Sequence, residues 1–406
     1  MGNTLVFPQR IIGLIAIFMV VLLPVFIGKT TASEEVDDVV AGNNEFAFDL
    51  YHEFTGSGED ENLVFSPYGI SMVLAVAYSG ARGLTRDEIA DTMHFTLPQE
   101  LLLPAYQSLE ADFSNGECIE LHAANSLWVE QDCDFFQHFL NLLNVYYPDG
   151  MSLAEFIDNP EEARLMINDW AYYQTQEKIT QVIPPDGLDN RARLLPVSAI
   201  YFNGHWQEQF DPDDTVDMPF RLLDGGQVMV PMMKASGAFQ YRRGIDYSTI
   251  EIRYTEGHLS MVIIMPNTGI FEQVEDSLDC LIANEIIGRM LETDVDLLLP
   301  RFTIDSGYSL RDTFGSMGII DAFCEECADF SGMADTEEIY FHDVFHEVHL
   351  EVDEDGAGAA GADDDSGNPV TLRIDRPFIF FVRDRETGAI LFLGRMMDPS
   401  TAGTDR

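Results

Sequence analysis

Lysine is almost missing from this chain. Its 406 residues include 22 basic ones against 70 acidic ones, and the only lysines are Lys29, Lys178 and Lys234. Residues 87–163 contain no lysine or arginine at all. A chain with a net charge of −48 cannot neutralise phosphates or sulfates. Nucleic acid, a heparin-type polyanion and an anionic membrane surface are therefore excluded as partners. Cysteine is scarce as well. Cys118, Cys133, Cys280, Cys324 and Cys327 are odd in number and widely spaced, which excludes a dense disulfide framework. The pair in Cys324-Glu325-Glu326-Cys327 stands alone. A zinc knuckle needs a second pair, and an activated thiol needs nearby positive charge. Structural thiols or one incidental disulfide are the expectation.

Signatures of chemistry are missing too. There is no Gly-x-Ser-x-Gly elbow, no phosphate-cradling glycine loop and no HExxH spacing. The run Asp363-Asp364-Asp365 lacks EF-hand spacing and reads as a solvated acidic loop. His342, His346 and His349 invite a metal reading, but the segment alternates like a strand. Val344, His346, Val348 and Leu350 then share one face, and Phe345, Glu347 and His349 the other. His346 and His349 point apart. The expectation is no enzyme, no cofactor and no metal site. No Pro/Gly/Ser linker or internal repeat divides the middle of the chain, so one large domain is expected, with a hydrophobic content of 46% ample for a core.

What is present begins with the one long apolar run. Arg10 precedes residues 11–28, which are apolar apart from Pro24, and Lys29-Thr30-Thr31-Ala32 follows. Residues 1–32 read as a signal peptide with a cleavage site at Thr30-Thr31-Ala32, or as an N-terminal membrane anchor. No cysteine follows, so a lipoprotein anchor is excluded. Arg10 stays inside, and the protein is expected outside the cytoplasm, extracellular or tethered to the outer face of the membrane. Residues 33–43 read as an acidic linker, 44–400 as the folded domain and 401–406 as a tail. The acidic excess makes the folded chain repel itself in dilute buffer, which points to a halophilic protein from a salt-rich habitat.

The helical signals are local. Phe46, Leu50 and Phe54 fall on one helical face. Ser66 is placed to cap a helix with Pro67 in its first turn, and the residues after them are apolar nearly all round, which marks a buried helix. Thr85 and Glu88 have the spacing of a capping box for the next helix. Between two strand patterns, around 349–352 and 370–374, lies a run of only glycine and alanine, residues 356–362. Such a segment has little to pack as a loop, yet every side chain in it fits a pleated interior. It reads as an ordinary flexible linker or as a segment that can become a strand.

The motifs along the chain resemble those of the serpins. Asn62-x-x-x-Ser66-Pro67 with Gly80-Ala81-x-Gly83-x-Thr85-x-x-Glu88-Ile89 is similar to the pattern of that family's buried second helix. The similarity continues through Ala124-Asn125-Ser126-Leu127-Trp128, Ile167-Asn168-Asp169-Trp170 and Lys178-Ile179. It goes on through Ala199-Ile200-Tyr201-Phe202-Asn203-Gly204-His205-Trp206 and Leu299-Pro300-Arg301-Phe302. Glu354-Asp355-Gly356 and Arg376-Pro377-Phe378 resemble the flanks of the family's reactive loop, and Gly394-Arg395 and Asp398-Pro399 its C-terminus. The resemblance spans residues 44–399. Three positions depart from it: Gly69 where the family has Ser, Ser198 where it has Asn, and Glu177 where it has Gly.

The resemblance implies an α+β serpin fold: a single domain with three β-sheets, eight or nine helices and an exposed reactive-centre loop. It implies a monomeric inhibitor of a serine or cysteine protease that acts as a suicide substrate. The protease cuts the loop, and the freed segment enters the main sheet as a new strand and drags the acyl-linked protease with it. The hinge would be Glu354, Gly356, Ala357, Gly358, Ala359, Ala360, Gly361 and Ala362. Counting from Gly356 places the cut after Val370. Counting back from Pro377 places it after Ser366. The reactive-bond candidates are therefore Ser366, Gly367, Asn368, Pro369, Val370 and Thr371, and Pro369-Val370 suits an elastase-like or subtilisin-like enzyme. The sheet-opening group would comprise Ser66, Ser198 and His346, with Arg301 and Trp206 beside Glu354. The other reading is a serpin fold that does not inhibit, serving as a protease substrate, a binding protein or a folding helper.

Overall fold

Helix formation begins earlier than the acidic composition suggests. The computed structural model describes residues 31–401 apart from 57, 59, 114–118, 256–257, 336–338 and 356–368. In chain order these residues form α1 (Thr31–Thr55), β1 (Leu63–Phe65), α2 (Pro67–Gly80), α3 (Gly83–Thr92), α4 (Gln99–Phe113) and β2 (Ile119–Glu130). Then come α5 (Gln137–Tyr146), β3 (Met151–Ala154), α6 (Pro160–Gln174), β4 (Leu194–Gly204), β5 (Val216–Arg221), β6 (Gln227–Arg243), β7 (Tyr247–Arg253) and β8 (Leu259–Pro266). The chain continues with α7 (Phe271–Asp276), α8 (Cys280–Gly288), β9 (Leu291–Pro300), β10 (Phe302–Ser309) and α9 (Arg311–Met317). It closes with β11 (Phe345–Val352), β12 (Val370–Arg373), β13 (Phe378–Asp384) and β14 (Ile390–Met396). None of the described helices is long and apolar enough to cross a membrane.

The acidic linker expected at 33–43 is instead the first part of α1. Val39, Val40 and Asn43 are buried, and the Asn43 amide donates to the Ile390 carbonyl at 2.9 Å. Val36, Val39, Val40 and Asn43 follow i, i+3, i+4, i+7, an inward stripe hidden among exposed acids. The capping box at Thr85 and Glu88 is also corrected. Thr85 lies inside α3 and accepts from the Asp329 amide, while the Glu88 carboxylate accepts from the amides of Ile320 and Asp321. Both groups tie α3 to a distant loop rather than capping it.

Among the described residues the strands form two hydrogen-bonded ladders where three sheets are expected. One has five strands in the order β10-β11-β4-β2-β3. The other has nine, in the order β1-β14-β13-β8-β7-β6-β9-β12, with β5 on β6. The 17-residue β6 makes the difference, since it pairs with β5 at one end, β9 along its middle and β7 at the other. One long strand thus joins two separately patterned strand groups into a single ladder.

Helix α2 forms as its signals indicate. The Ser66 hydroxyl accepts from the Gly69 amide at 3.1 Å, and Pro67 opens the first turn. All 14 residues of the helix are buried. It packs on β2 and β4 of the smaller sheet and on β14 of the larger one, which fixes the two sheets around it. A second apolar cluster lies on the opposite face of the smaller sheet, where Ala163, Ile167 and Ala171 of α6 pack with Ala124, Trp128, Val197 and Phe345.

Candidate functional site

Strand β11 is an interior strand of the five-stranded sheet and precedes the glycine–alanine run in the chain. It pairs antiparallel with β10 and parallel with β4, with Phe345 opposite Val197 and Leu350 opposite Phe202. The β4–β11 seam is lined on both faces by side chains singled out in the sequence. The alternation places them as expected: His346 is fully buried toward α2, and His349 lies on the α6 side.

On the α2 face the three expected residues meet. The Ser66 amide donates to His346 Nε2 at 2.9 Å, so the neutral ring carries its proton on Nδ1, 3.1 Å from the Ser198 hydroxyl. Burial lowers the pKa of His346 to about 3, which keeps it neutral at any working pH. The Ser66 hydroxyl donates to the Leu391 carbonyl at 2.7 Å and so links the seam to β14. Two departures from the family pattern explain each other here. A Cβ at Gly69 would run into the Ile200 side chain and the Ser198 hydroxyl. Gly69 lets Ser198 and Ile200 close on the helix, and the short Ser198 still reaches His346.

At the open end of the seam, the Glu354 side chain is buried. Arg301 Nη1 lies 3.4 Å from both of its oxygens, and the Thr215 hydroxyl donates to Oε1 at 2.8 Å. The Trp206 indole N–H donates to the Asp353 carbonyl at 2.8 Å, and its backbone amide to the Asp355 carbonyl at 3.1 Å. Trp206, just past β4, therefore holds the segment that leaves β11 through one side-chain and one main-chain N–H. Arg301 and Trp206 thus both lie beside Glu354, the arrangement the resemblance implies, and Arg301 forms an ion pair with it. Nothing in the local sequence of Thr215 distinguishes it from any exposed threonine.

The α6 face carries a polar row that the sequence showed only as charges. His349 Nδ1 is 2.5 Å from Asp305 of β10, and its Nε2 is 2.7 Å from Glu351. Burial works against the charged ring, but these two carboxylates outweigh it and raise its pKa. Glu347 lies over Gly307, where any added Cβ would strike its carboxylate. Burial first, and then the charge on Asp305, push Glu347 up to about 8. Both folded-state values stand above the unfolded ones, near 4.3 for Glu and 6.5 for His. Their stabilisation is complete below those unfolded values and is lost as pH rises through the folded ones. The melting temperature of the intact protein, at fixed high salt, should therefore fall as pH rises from about 4.3 and level off once pH passes about 8. Glu347→Gln should flatten that fall in thermal melts. An unchanged slope in the variant would place the alkaline loss elsewhere.

Among the hinge residues, Glu354 is described, whereas Gly356, Ala357, Gly358, Ala359, Ala360, Gly361 and Ala362 lie outside the described residues. So do Ser366, Gly367 and Asn368 of the reactive-bond candidates. Pro369 precedes β12, and Val370 and Thr371 lie within it, paired with Val295 and Asp296 of β9. Cys324 and Cys327 form a disulfide, and Cys133 and Cys280 are partly buried. Among the described residues no group of three or more His, Cys, Asp or Glu side chains is placed to hold a metal ion.

Comparison with known proteins bears on this geometry. Residues 41–399 match the family model for serpin (serine protease inhibitor). The chain is 35% identical to an uncharacterized serpin-like protein of Thermococcus kodakarensis, with 89% of this chain and 86% of that protein covered. It is 32% identical to the leukocyte elastase inhibitor of Xenopus laevis, over 90% of this chain and all of that one. Among solved structures, uncleaved ovalbumin superposes with a TM-score of 0.85 at 27% identity, covering 89% of this chain and 100% of that one.

Proposed function

The chain belongs to the serpin family, and we propose on that basis that it traps proteases by inserting its cut loop between β4 and β11. One observation carries the reading. The two strands are parallel neighbours, and β11 runs out of the seam directly into the glycine–alanine segment. A strand returning antiparallel between them would replace one parallel pairing by two antiparallel ones, which pair more favourably per residue. It would also add ladder hydrogen bonds and bury the small side chains of the entering segment, a gain open only to the cut chain.

The reactive bond we assign is Ser366–Gly367. A protease must bind its target bond as a free extended segment. Val370 and Thr371 are held in the ladder to β9, which argues against a cut after Val370 and for the count from Pro377. Serine before the bond suits an enzyme with a small, apolar specificity pocket, elastase-like or subtilisin-like. The name of the Xenopus relative, a leukocyte elastase inhibitor, supports the same class. The segment at 1–32 supports action outside the cytoplasm, and the charge of −48 supports a salt-rich medium.

The test is incubation in high salt with a panel of serine proteases, read by denaturing gel. A covalent complex that survives denaturation is the expected result. Cleavage without a complex would replace inhibition by the reading of a serpin-fold substrate or binding protein. Asp363 and Asp365, which step onto the inward face of the inserting strand, favour that outcome.

A further inference from the structure

We infer that Lys178 is a clasp across the β4–β11 seam, a positioning residue that holds the uncut sheet closed and is released when a strand enters. The inference rests on the insertion reading above, since only insertion parts these two strands.

The Lys178 ammonium is 2.7 Å from Glu351 Oε1 on β11 and stands 4.9 Å from the ring centroid of Tyr201 on β4. One cation thus contacts both strands on the α6 face. Asn203 of β4 crosses the same seam to the second Glu351 oxygen at 3.4 Å, and Glu351 also accepts from His349. The Glu351 carboxylate is mostly covered, and the bonds from Lys178 and His349 outweigh its burial to hold it ionised.

The clasp is built into the backbone. Helix α6 ends in two consecutive residues with left-handed dihedrals, Gln176 at φ 54° and Glu177 at φ 67°. A side chain in that region is strained, and Glu177 stands where the family pattern has glycine. The turn they make returns the chain to the sheet. The Lys178 amide donates to the Thr175 carbonyl at 3.1 Å, and the Ile179 amide to the Thr175 hydroxyl at 3.1 Å. Ile179 is buried beside it. The ammonium is therefore offered to the seam from a fixed point. In a chain with only three lysines, one of them occupies this spot.

Geometry makes the contact specific to the uncut state. Adjacent strands lie about 4.8 Å apart, so an inserted strand doubles the β4–β11 spacing to about 9.6 Å. A side chain anchored after α6 cannot then touch Tyr201 and Glu351 together. Lys178 stabilises the closed sheet and gives that stabilisation up on opening, which slows premature insertion without a cost to the final state.

The experiment compares wild type, Lys178→Met and Glu351→Gln in the full chain, by amide hydrogen exchange before and after cleavage in the loop. Methionine keeps the stem over Tyr201 and removes the charge. In the intact protein, exchange at residues 200–203 and 349–352 should rise about three- to tenfold in both variants, as expected for one ion pair plus one cation–ring contact. Lys178→Arg should keep most of the protection. After cleavage the wild type and both variants should exchange alike and melt alike. Unchanged exchange in the intact variants would overturn the clasp. So would an equal loss of stability before and after cleavage, which would mark Lys178 as ordinary packing. A wild type that gains no heat stability on loop cleavage would instead sink the insertion reading, and exchange in the intact protein would then decide the clasp by itself.

Discussion

Ala359→Arg should abolish stable complex formation with the target protease while leaving the rate of loop cleavage unchanged. The argument follows from strand alternation. If the loop enters as a strand from Gly356, alternate residues face the core, and these are Ala357, Ala359, Gly361, Asp363 and Asp365. On the α2 side the seam is closed by His346, Ser198 and Ile200, all fully buried. A guanidinium has no partner there, and burying it unpaired costs several kcal/mol. Insertion competes in time with hydrolysis of the acyl link. A barrier raised by about 3 kcal/mol slows insertion more than a hundredfold, so hydrolysis wins and the protease escapes. Ala360→Arg is the internal control. Its side chain would face the opposite side of the inserted strand, and most inhibition should survive. A companion change probes the depth of insertion. Asp363→Thr should raise the melting temperature of the cleaved form, because a buried hydroxyl is more easily satisfied than a carboxylate. If Ala359→Arg inhibits as well as wild type, the loop does not enter the sheet. If Asp363→Thr melts with the parent after cleavage, insertion stops short of that residue.

The parts of this molecule that the sequence exposed are those decided by neighbours along the chain. The cap at Ser66, the buried α2 and the split of His346 from His349 follow from spacing alone. Other features depend on residues far apart. The Lys178–Glu351 bond joins positions 173 residues apart, and the Glu88 carboxylate serves amides 232 and 233 residues away. Local patterning assigned Glu88 to its own helix because a capping box is the nearest use for an acid there. The start of α1 was hidden for a different reason: in so acidic a chain, Glu and Asp no longer distinguish a linker from the outer face of a helix. The fusion of two strand groups through β6 was illegible because strand signals say where a strand runs, not how many partners it has. The Glu354–Arg301 pair lies between these cases. Motif positions place Arg301 beside Glu354, and the structure adds Thr215 as a third member.

That third member sharpens what Glu354→Lys should do. In the wild type one buried carboxylate receives the Arg301 guanidinium and the Thr215 hydroxyl, and its neighbours Asp353 and Asp355 accept both N–H groups of Trp206. The ion pair alone is worth under about 1 kcal/mol, since Arg301 is 50% exposed and screened. The substitution does more than delete it. It sets a second cation against Arg301 in a site too covered to hydrate it, and leaves Thr215 without its acceptor. The end of β11 must shift to free the ammonium, and the Trp206 bonds to residues 353 and 355 shift with it. The seam then opens at the point where a loop would enter. A loop from another molecule meets the same opening, so the variant should form chains of molecules on mild warming that wild type does not form. Size-exclusion chromatography with light scattering, in high salt to suppress the repulsion of so acidic a protein, reads this directly. Glu354→Lys combined with Arg301→Glu restores an ion pair of reversed sense. It should recover much of the monomer, though not all, because the lysine cannot accept from Thr215. A single variant that stays monomeric, paired with a double variant that aggregates more, would show that the bonds from Trp206 hold the entrance closed without help from the charge pair.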